Sequence, residues 1–126
     1  MIKTTLMPHI ILGITLMAVN SMAMDARWKF IGVAEEVKFY YDSLTVARTD
    51  KDTVRFWTTQ VFPEGNKVAE SRYLNEINCT RRTIKFIQAH IKQKDGKNSI
   101  SNKPSPVMNI APDTMFEKFY DTVCKK

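Results

Sequence analysis

The N-terminal segment most constrains what this chain can fold into, because it decides how many residues remain and where they fold. Lys3 precedes an uncharged apolar run over residues 10–19, and Ser21-Met22-Ala23 places small residues at both key positions of a cleavage site. This arrangement is typical of a secretory signal peptide. We therefore expect residues 1–23 to be removed and residues 24–126 to form a single exported domain.

A retained membrane anchor is the alternative interpretation of this segment. The apolar run is shorter than the about 20 residues that a membrane-spanning helix needs, and no second apolar stretch follows it. No cysteine ends the run, so the sequence offers no lipobox for acylation. We expect a periplasmic or secreted protein with no transmembrane segment in the mature chain. Association with the cell surface stays open.

Two cysteines, Cys79 and Cys124, lie in the mature chain, and a domain of this size benefits from a covalent cross-link. In an oxidising compartment, an even pair without C-x-x-C spacing indicates one structural disulfide. A metal pair and a reactive thiol are the alternatives. Two cysteines and His90, the one histidine left after cleavage, are too few ligands for a zinc site. We predict the disulfide, and no metal or other cofactor.

Hydrophobic patterning predicts an α+β domain. Residues 28–34 and 37–41 form a predicted hairpin around a two-residue polar turn, and three longer strands follow at residues 53–62, 69–79 and 83–92. Short turns between them predict an antiparallel meander of about five to six strands. A C-terminal α-helix follows, with Thr114 and Glu117 as a predicted capping box and one apolar stripe for the sheet: Phe116, Phe119, Tyr120 and Val123.

Residues 94–106 contain Gly, Asn, Ser and Pro with few apolar residues, which predicts an exposed, mobile loop. Lysines lie in this loop and just before it: Lys92, Lys94, Lys97 and Lys103. These lysines are candidates for steering an acidic ligand. Keeping the loop solvated is the more usual role of such a run of charges, and the net charge of +6 is compatible with both.

No pattern in the chain is typical of catalysis. His90 is predicted to share a strand face with Ile84, Phe86 and Gln88 rather than with a carboxylate, which favours an ordinary strand histidine over a general base or pH sensor. The adjacent carboxylates fall in predicted turns, and no glycine-rich phosphate loop occurs. We predict that the protein is not an enzyme.

Nucleic-acid binding is also disfavoured. The segment Arg81–Phe86 mixes basic and aromatic residues, but Lys85 and Phe86 alternate and therefore point to opposite faces of a strand. A stacking platform needs the aromatic and basic side chains on one face. We predict no nucleic-acid partner.

Aromatic residues occur in every predicted strand, and one helix covers only one face of a single sheet. Some aromatic side chains must therefore lie on the other face. A second protomer, a ligand and a partly exposed patch are the three open alternatives for that face.

In order and spacing, these features resemble the surface-adhesin protein E family. The resemblance extends over about residues 28 to 124 and is carried by these segments: Trp28, Phe39–Leu44, Val54–Trp57, Glu76–Lys85, Ile110–Thr114, Glu117 and Cys124. It implies an antiparallel sheet with a C-terminal helix and a disulfide joining Cys79 to Cys124. It also implies a homodimer and adhesion to host proteins such as laminin, vitronectin and plasminogen.

Two departures limit this resemblance. The family's adhesin is held on the outer membrane as a lipoprotein, whereas this chain lacks a lipobox cysteine. No segment matches a ligand-binding motif residue by residue. We therefore expect an exported, adhesin-like protein that binds host matrix or serum proteins, and keep a soluble periplasmic structural or accessory protein without a host ligand as the alternative.

Overall fold

The computed structural model describes residues 27–125 of the chain. The predicted signal peptide and its cleavage site lie outside these residues. The described part contains one C-terminal helix, α1 (Met115–Cys124), preceded by these strands: β1 (Trp28–Ala34), β2 (Val37–Asp42), β3 (Ala47–Arg48), β4 (Thr53–Val61), β5 (Val68–Asn78), β6 (Thr83–Gln93), β7 (Asn98–Ser101) and β8 (Met108–Asn109).

The strands form one antiparallel sheet with the order β1-β2-β4-β5-β6-β7. β3 pairs with β4, and β8 pairs with β6. This architecture confirms the predicted antiparallel sheet with a C-terminal helix. The count of eight strands is higher than the five to six predicted. The additional strands are short segments without an apolar alternation of their own, and backbone pairing with β4 or β6 holds them in place.

The segment 94–106 differs from the predicted mobile loop. Four of its residues, Asn98–Ser101, form β7 and pair with the edge of β6. All four residues are exposed, so their side chains give no buried pattern that a sequence could reveal. Main-chain hydrogen bonds to a neighbouring strand are sufficient to order such a segment.

The β1–β2 hairpin confirms the predicted two-residue turn. Ala34 pairs with Val37, and both intervening residues have positive φ values, 51° at Glu35 and 67° at Glu36. Positive φ at both central positions is the signature of a type I′ turn, whose twist matches that of the flanking strands.

Helix α1 lies against one face of the sheet and closes the hydrophobic core. Val54, Phe56, Ile77 and Ile84 are buried beneath it together with Phe119 and Val123 of the helix. The rings of Phe56 and Phe119 lie 5.9 Å apart between centroids. The predicted apolar stripe is therefore confirmed, since Phe116 and Tyr120 also pack against this core.

The start of α1 is fixed by the predicted cap. The Thr114 hydroxyl accepts a hydrogen bond from the Glu117 amide at 3.3 Å, and a Glu117 carboxylate oxygen accepts one from the Asp113 amide at 3.1 Å. These bonds satisfy backbone donors that the first helical turn leaves unpaired.

The end of α1 is tied to the sheet by the disulfide between Cys79 and Cys124, which confirms the predicted pair. The two Cα atoms are 5.6 Å apart, within the range that a disulfide spans without moving the backbone. Next to it, the Tyr120 hydroxyl donates to the Cys79 carbonyl at 2.9 Å. The helix is therefore held to the end of β5 by a covalent bond and a hydrogen bond.

One irregularity in the sheet changes which side chains face the helix. Leu74 pairs with Gln88 and Asn75 with Phe86, so Ile87 is an extra residue in β6, a β-bulge. The strand alternation inverts at this point. The prediction that His90 shares a face with Ile84 and Phe86 is therefore wrong, because His90 lies on the opposite side of the sheet.

Opening the disulfide should destabilise the protein strongly. The bond closes a loop with a sequence separation of 45 residues, and chain entropy alone gives a loss of roughly 4 kcal/mol in the free energy of unfolding. We expect urea denaturation to show this loss for the Cys79→Ala/Cys124→Ala variant and for the reduced wild type. An unchanged midpoint in both would show that the helix docks without its cross-link.

Candidate binding surface

The sheet side away from α1 carries a second set of large side chains, which we call the open face. Pairing across the strands places them together, because directly paired residues point to the same side of a sheet. Some are markedly exposed, with 56% of Phe30 and 63% of Ile100 accessible. The open face consists of Trp28, Phe30, Val33, Lys38, Tyr40, Arg55, Trp57, Thr59, Val61, Glu70, Arg72, Leu74, Glu76, Lys85, Gln88, His90, Lys92 and Ile100.

One row of residues, each paired directly with the next across neighbouring strands, crosses the whole open face, and we call it the central row. Its members are paired in sequence from β1 to β7: Phe30, Tyr40, Thr59, Arg72, His90 and Ile100. The row is apolar at both ends and polar at its centre. Its three central members lie on β4, β5 and β6, the longest strands of the sheet. The position of these side chains is therefore fixed by the most extensively paired part of the fold.

Aromatic rings support the polar side chains of the open face. The Arg72 guanidinium lies over the ring of Trp28, with its Cζ 5.1 Å from the ring centroid. The rings of Trp57 and His90 meet edge-on at 5.3 Å between centroids. Contacts of a cation with an indole ring are favourable and orient the guanidinium.

Two depressions flank Arg72 on the open face. The larger, of about 450 Å³, is lined by Trp28, Tyr40, Thr59, Val61, Glu70 and Arg72. The other, of about 320 Å³, lies toward β7, and its wall includes Arg72, His90, Lys92 and Ile100. The larger depression combines aromatic and apolar walls with a few polar groups, whereas polar and charged side chains make up most of the wall of the smaller one.

Two polar atoms of the central row are buried without a partner among the described residues. These are Thr59 Oγ1 and His90 Nε2. Thr59 as a whole is only 6% exposed. Buried polar groups in folded proteins almost always have hydrogen-bond partners, so each unpaired one calls for an explanation. Both residues pair with Arg72 in the sheet register, and the two unpaired atoms therefore flank the same arginine.

The arginines of the open face differ in how their charge is neutralised. Arg55 Nε donates to Glu76 Oε1 at 2.9 Å. Arg72 Nε lies 3.8 Å from Glu70 Oε2, which is beyond hydrogen-bond distance. Within residues 27–125, the Arg72 guanidinium thus keeps its donors free for another group.

An ion pair between exposed Arg27 and buried Asp42 fixes the beginning of β1 and with it Trp28. Arg27 Nε and Nη2 donate to the two Asp42 carboxylate oxygens at 2.9 and 2.7 Å, and Trp28 pairs with Asp42 in the sheet. Burial by itself raises the pKa of Asp42, but hydrogen bonds from Arg27 and the Leu44 amide outweigh it and hold that pKa below its usual value.

Of the lysines singled out in the sequence, the structure brings one to the open face. Lys92 lies on β6 and lines the smaller depression. Lys94 follows β6 and its Nζ donates to the Pro63 carbonyl at 2.6 Å. Lys97 lies in the β6–β7 turn and Lys103 follows β7, both exposed. A role for these lysines in ligand steering stays a prediction.

The sequence analysis missed Thr59 and Arg72. Neither belongs to a motif, and each is an ordinary polar residue in a strand. Only the pairing register, which depends on residues far apart in the chain, places them side by side at the centre of the face.

The described part of the chain offers neither a metal-binding cluster nor a membrane-spanning helix. Residues 27–125 contain no cluster of three or more His, Cys, Asp or Glu side chains that could hold a metal ion. No helix in this range is long and apolar enough to cross a membrane.

Comparison with known proteins places the chain in a family. The model of the family described as surface-adhesin protein E matches residues 28–125. The chain belongs to the surface-adhesin protein E family. This membership confirms the resemblance read from the order of the motifs. No curated protein sequence matches the chain at a significant level.

The fold is similar to that of protein E from Haemophilus influenzae. Crystal form II of that protein is 17% identical, with a TM-score of 0.56 over 76% of this chain and 87% of the other. A second structure gives 15% identity and a TM-score of 0.56 over 79% and 84% of the chains. Protein E from non-typeable H. influenzae gives 17% and 0.54 over 76% and 75%. At these identities, the likeness concerns the fold.

The Arg27–Asp42 pair should make stability depend on pH in the acid range. Because the folded-state pKa of Asp42 is lowered, its contribution is present above the unfolded value of about 3.9 and is lost as the pH falls through the folded value. We expect Asp42→Asn to lower the free energy of unfolding at neutral pH and to make its decline in acid shallower. Urea denaturation from neutral pH to about pH 3 measures both effects.

Asp121→Asn is the control for that experiment, because Asp121 lies on the helix surface in an exposed pair with Lys125. It should leave both the stability at neutral pH and its acid dependence nearly unchanged. Equal pH profiles for Asp42→Asn and the wild type would contradict the assigned role of the ion pair.

Two adjacent threonines provide a matched test of the unpaired hydroxyl. Thr58 Oγ1 accepts a hydrogen bond from buried Asn75 at 3.0 Å, whereas Thr59 Oγ1 has no partner among the described residues. We expect Thr58→Val to cost about 1 kcal/mol, and Thr59→Val to be neutral or stabilising by up to about 1 kcal/mol. Thermal or urea denaturation measures both, and equal losses would show that Thr59 is satisfied in solution.

Proposed function

We propose that this member of the surface-adhesin protein E family is an exported, non-enzymatic adhesin whose open face binds host matrix or serum proteins. Laminin, vitronectin and plasminogen are the ligands to test first, as the family resemblance implies. In this proposal, cleavage after Ala23 releases residues 24–126 as one domain outside the cytoplasm. The cell surface is then the place where the protein meets its ligand.

The observation that carries the proposal is the composition of the open face. Trp28, Tyr40, Trp57 and Arg72 lie together near its centre. Tryptophan, tyrosine and arginine are the residues most enriched among those that dominate the energy of protein interfaces. Helix α1 already covers the other face, so the two sides of the sheet have separate roles: one forms the core and the other is available to a partner.

The charges around the face favour an acidic region of the ligand. Lys38 and Lys92 have no ion-pair partner in the described range, and Arg72 is only loosely paired. The turn next to Lys92 adds Lys94 and Lys97. Such a group of positive charges accelerates encounter with an acidic surface, and salt weakens this effect.

A second copy of the chain is the other candidate occupant of the open face. Phe30 and Val33 are more than half exposed on β1, at one edge of the sheet, and a self-complementary contact there would bury them. A homodimer that closes the open face would favour the periplasmic structural or accessory role. Sedimentation of the purified protein over a range of concentrations separates the two, because a ligand-binding face must be accessible in the predominant species.

Binding to immobilised laminin, vitronectin and plasminogen tests the proposal with two matched charge reversals. Lys92→Glu changes the open face, and Lys118→Glu changes an exposed position on α1. We expect saturable binding that weakens with salt, a several-fold loss for Lys92→Glu through slower association, and no change for Lys118→Glu.

Two results would contradict the proposal. A folded, oxidised protein that binds none of the three ligands would remove the adhesin role and favour the accessory one. Equal losses for Lys92→Glu and Lys118→Glu would place the contact elsewhere on the molecule.

A further inference from the structure

Arg72 occupies an unusual position at the centre of the open face. Its side chain is 46% exposed and forms part of the wall of both depressions beside it. No hydrogen bond from its guanidinium reaches any residue of the range 27–125, and Glu70, the carboxylate nearest to it, is 3.8 Å away. The indole of Trp28 supports the guanidinium from below. Trp28 therefore orients the Arg72 guanidinium, and Glu70 pairs with it only loosely, without a hydrogen bond.

The neighbours of Arg72 in the central row supply further unused hydrogen-bonding groups. Thr59 Oγ1 and His90 Nε2 have no partner in the described part of the protein. Thr59 and His90 are the direct cross-strand neighbours of Arg72. The Cβ atoms of such neighbours lie about 5 Å apart, so the two side chains start on either side of the arginine. The hydroxyl can donate, the guanidinium donates from several N–H groups, and the imidazole can donate from Nε2. Together, they match a ligand rich in acceptor oxygens.

The surrounding charge selects an anion. The next register row places Lys38 and Lys92 beside the centre, with Glu70 as the one carboxylate between them. Planar guanidinium groups pair with carboxylates through two parallel hydrogen bonds, which gives both strength and orientation.

We propose that Arg72 is the centre of a carboxylate-binding subsite that takes an Asp or Glu side chain from an acidic segment of a protein ligand. Arg72 forms the bidentate pair with the carboxylate. Thr59 and His90 lie in the walls of the two depressions, and each offers its buried, unpaired polar atom to the bound group when its side chain turns toward the ligand. The inference rests on the proposed function, because it names the part of the ligand that the open face holds.

The form of the central row favours a peptide over an acidic sugar. Six strands at a spacing of about 4.8 Å make the row roughly 24 Å long, which an extended peptide of about seven residues spans. Its ends carry the exposed side chains of Phe30 and Ile100, which fit apolar residues on either side of the acidic one. The Trp28 ring is already engaged by Arg72, so that ring face is not free to stack on a sugar.

A titration of the oxidised, exported protein tests the subsite with the acetylated heptapeptide amide Phe-Gly-Ser-Asp-Ser-Gly-Leu, which is long enough to span most of the central row and contains no tryptophan. Trp28 and Trp57 are the two tryptophans of the chain, and both lie on the open face, so intrinsic fluorescence reports this face alone. In ¹⁵N-labelled protein, the side-chain Nε–H resonance of Arg72 reports the contact directly. We expect saturable changes in both signals, and at least tenfold weaker binding of the same peptide with Asn in place of Asp.

Variants identify the residue responsible. Arg72→Gln should weaken binding of the Asp peptide about tenfold or more, and Arg72→Lys should weaken it less, because a lysine keeps the charge but loses the planar pair. Thr59→Val should weaken binding without destabilising the free protein. Arg55→Gln is the matched control, since Arg55 is on the same face and 45% exposed but is paired with Glu76. It should leave binding unchanged.

Four outcomes would overturn the proposal. These are failure of the Asp peptide to bind, equal binding of the Asp and Asn peptides, equal losses for Arg72→Gln and Arg55→Gln, and binding of sialyllactose through Arg72 in place of the peptide. The last would assign the subsite to an acidic glycan.

The titration contains no matrix protein, so its result is separate from that of the adhesion assay. If the peptide binds but the protein does not adhere to any matrix or serum protein, the subsite is supported and the proposed function is contradicted. If the protein adheres but the peptide does not bind, the proposed function is supported and the subsite is contradicted.

Discussion

The docking of α1 on the sheet is the constraint on which the rest of the structure depends. Phe119 and Val123 bury the centre of one sheet face, and the disulfide between Cys79 and Cys124 prevents the end of the helix from leaving it. Residues 27–125 provide one helix and one sheet, so this part of the chain covers one sheet face only. It leaves the other face available to a partner.

The two-residue alternation of the strands determines which side chains form the open face. Successive residues of a strand point to opposite faces of the sheet. Because Phe56 and Thr58 point toward α1, Trp57 and Thr59 lie on the open face. The bulge at Ile87 then reverses the alternation in β6 and brings His90 to the same side as Arg72. The same pairing that stabilises the sheet therefore assembles aromatic, cationic and unpaired polar groups in one row.

Local sequence patterns predicted much of this fold, and the elements that they missed depend on pairing between residues far apart in the chain. The β1–β2 hairpin, the long strands and the capped helix each follow from residues close together in the chain. β7 was missed because Asn98–Ser101 has no apolar alternation and exists through pairing with β6. The side of His90 was predicted wrongly because a bulge at one residue is not visible in strand propensities.

The candidate site was less accessible to prediction than the fold. The aromatic excess indicated that a second face would need cover. The sequence offered the lysines near the β6–β7 turn only as candidates for ligand steering, and of these Lys92 lies on the open face. Arg72 and Thr59 become neighbours through the register of β4 and β5, which no local pattern specifies.

Site-specific photo-crosslinking tests most directly whether the open face is the binding face. Benzoylphenylalanine in place of Phe30 puts the reactive group on the open face, and in place of Lys118 it puts the same group on α1. With the matrix or serum protein that binds best, we expect covalent capture from position 30 and none from position 118. Capture from position 118 without capture from position 30 would contradict the account, because the ligand would then lie on the helix side of the sheet.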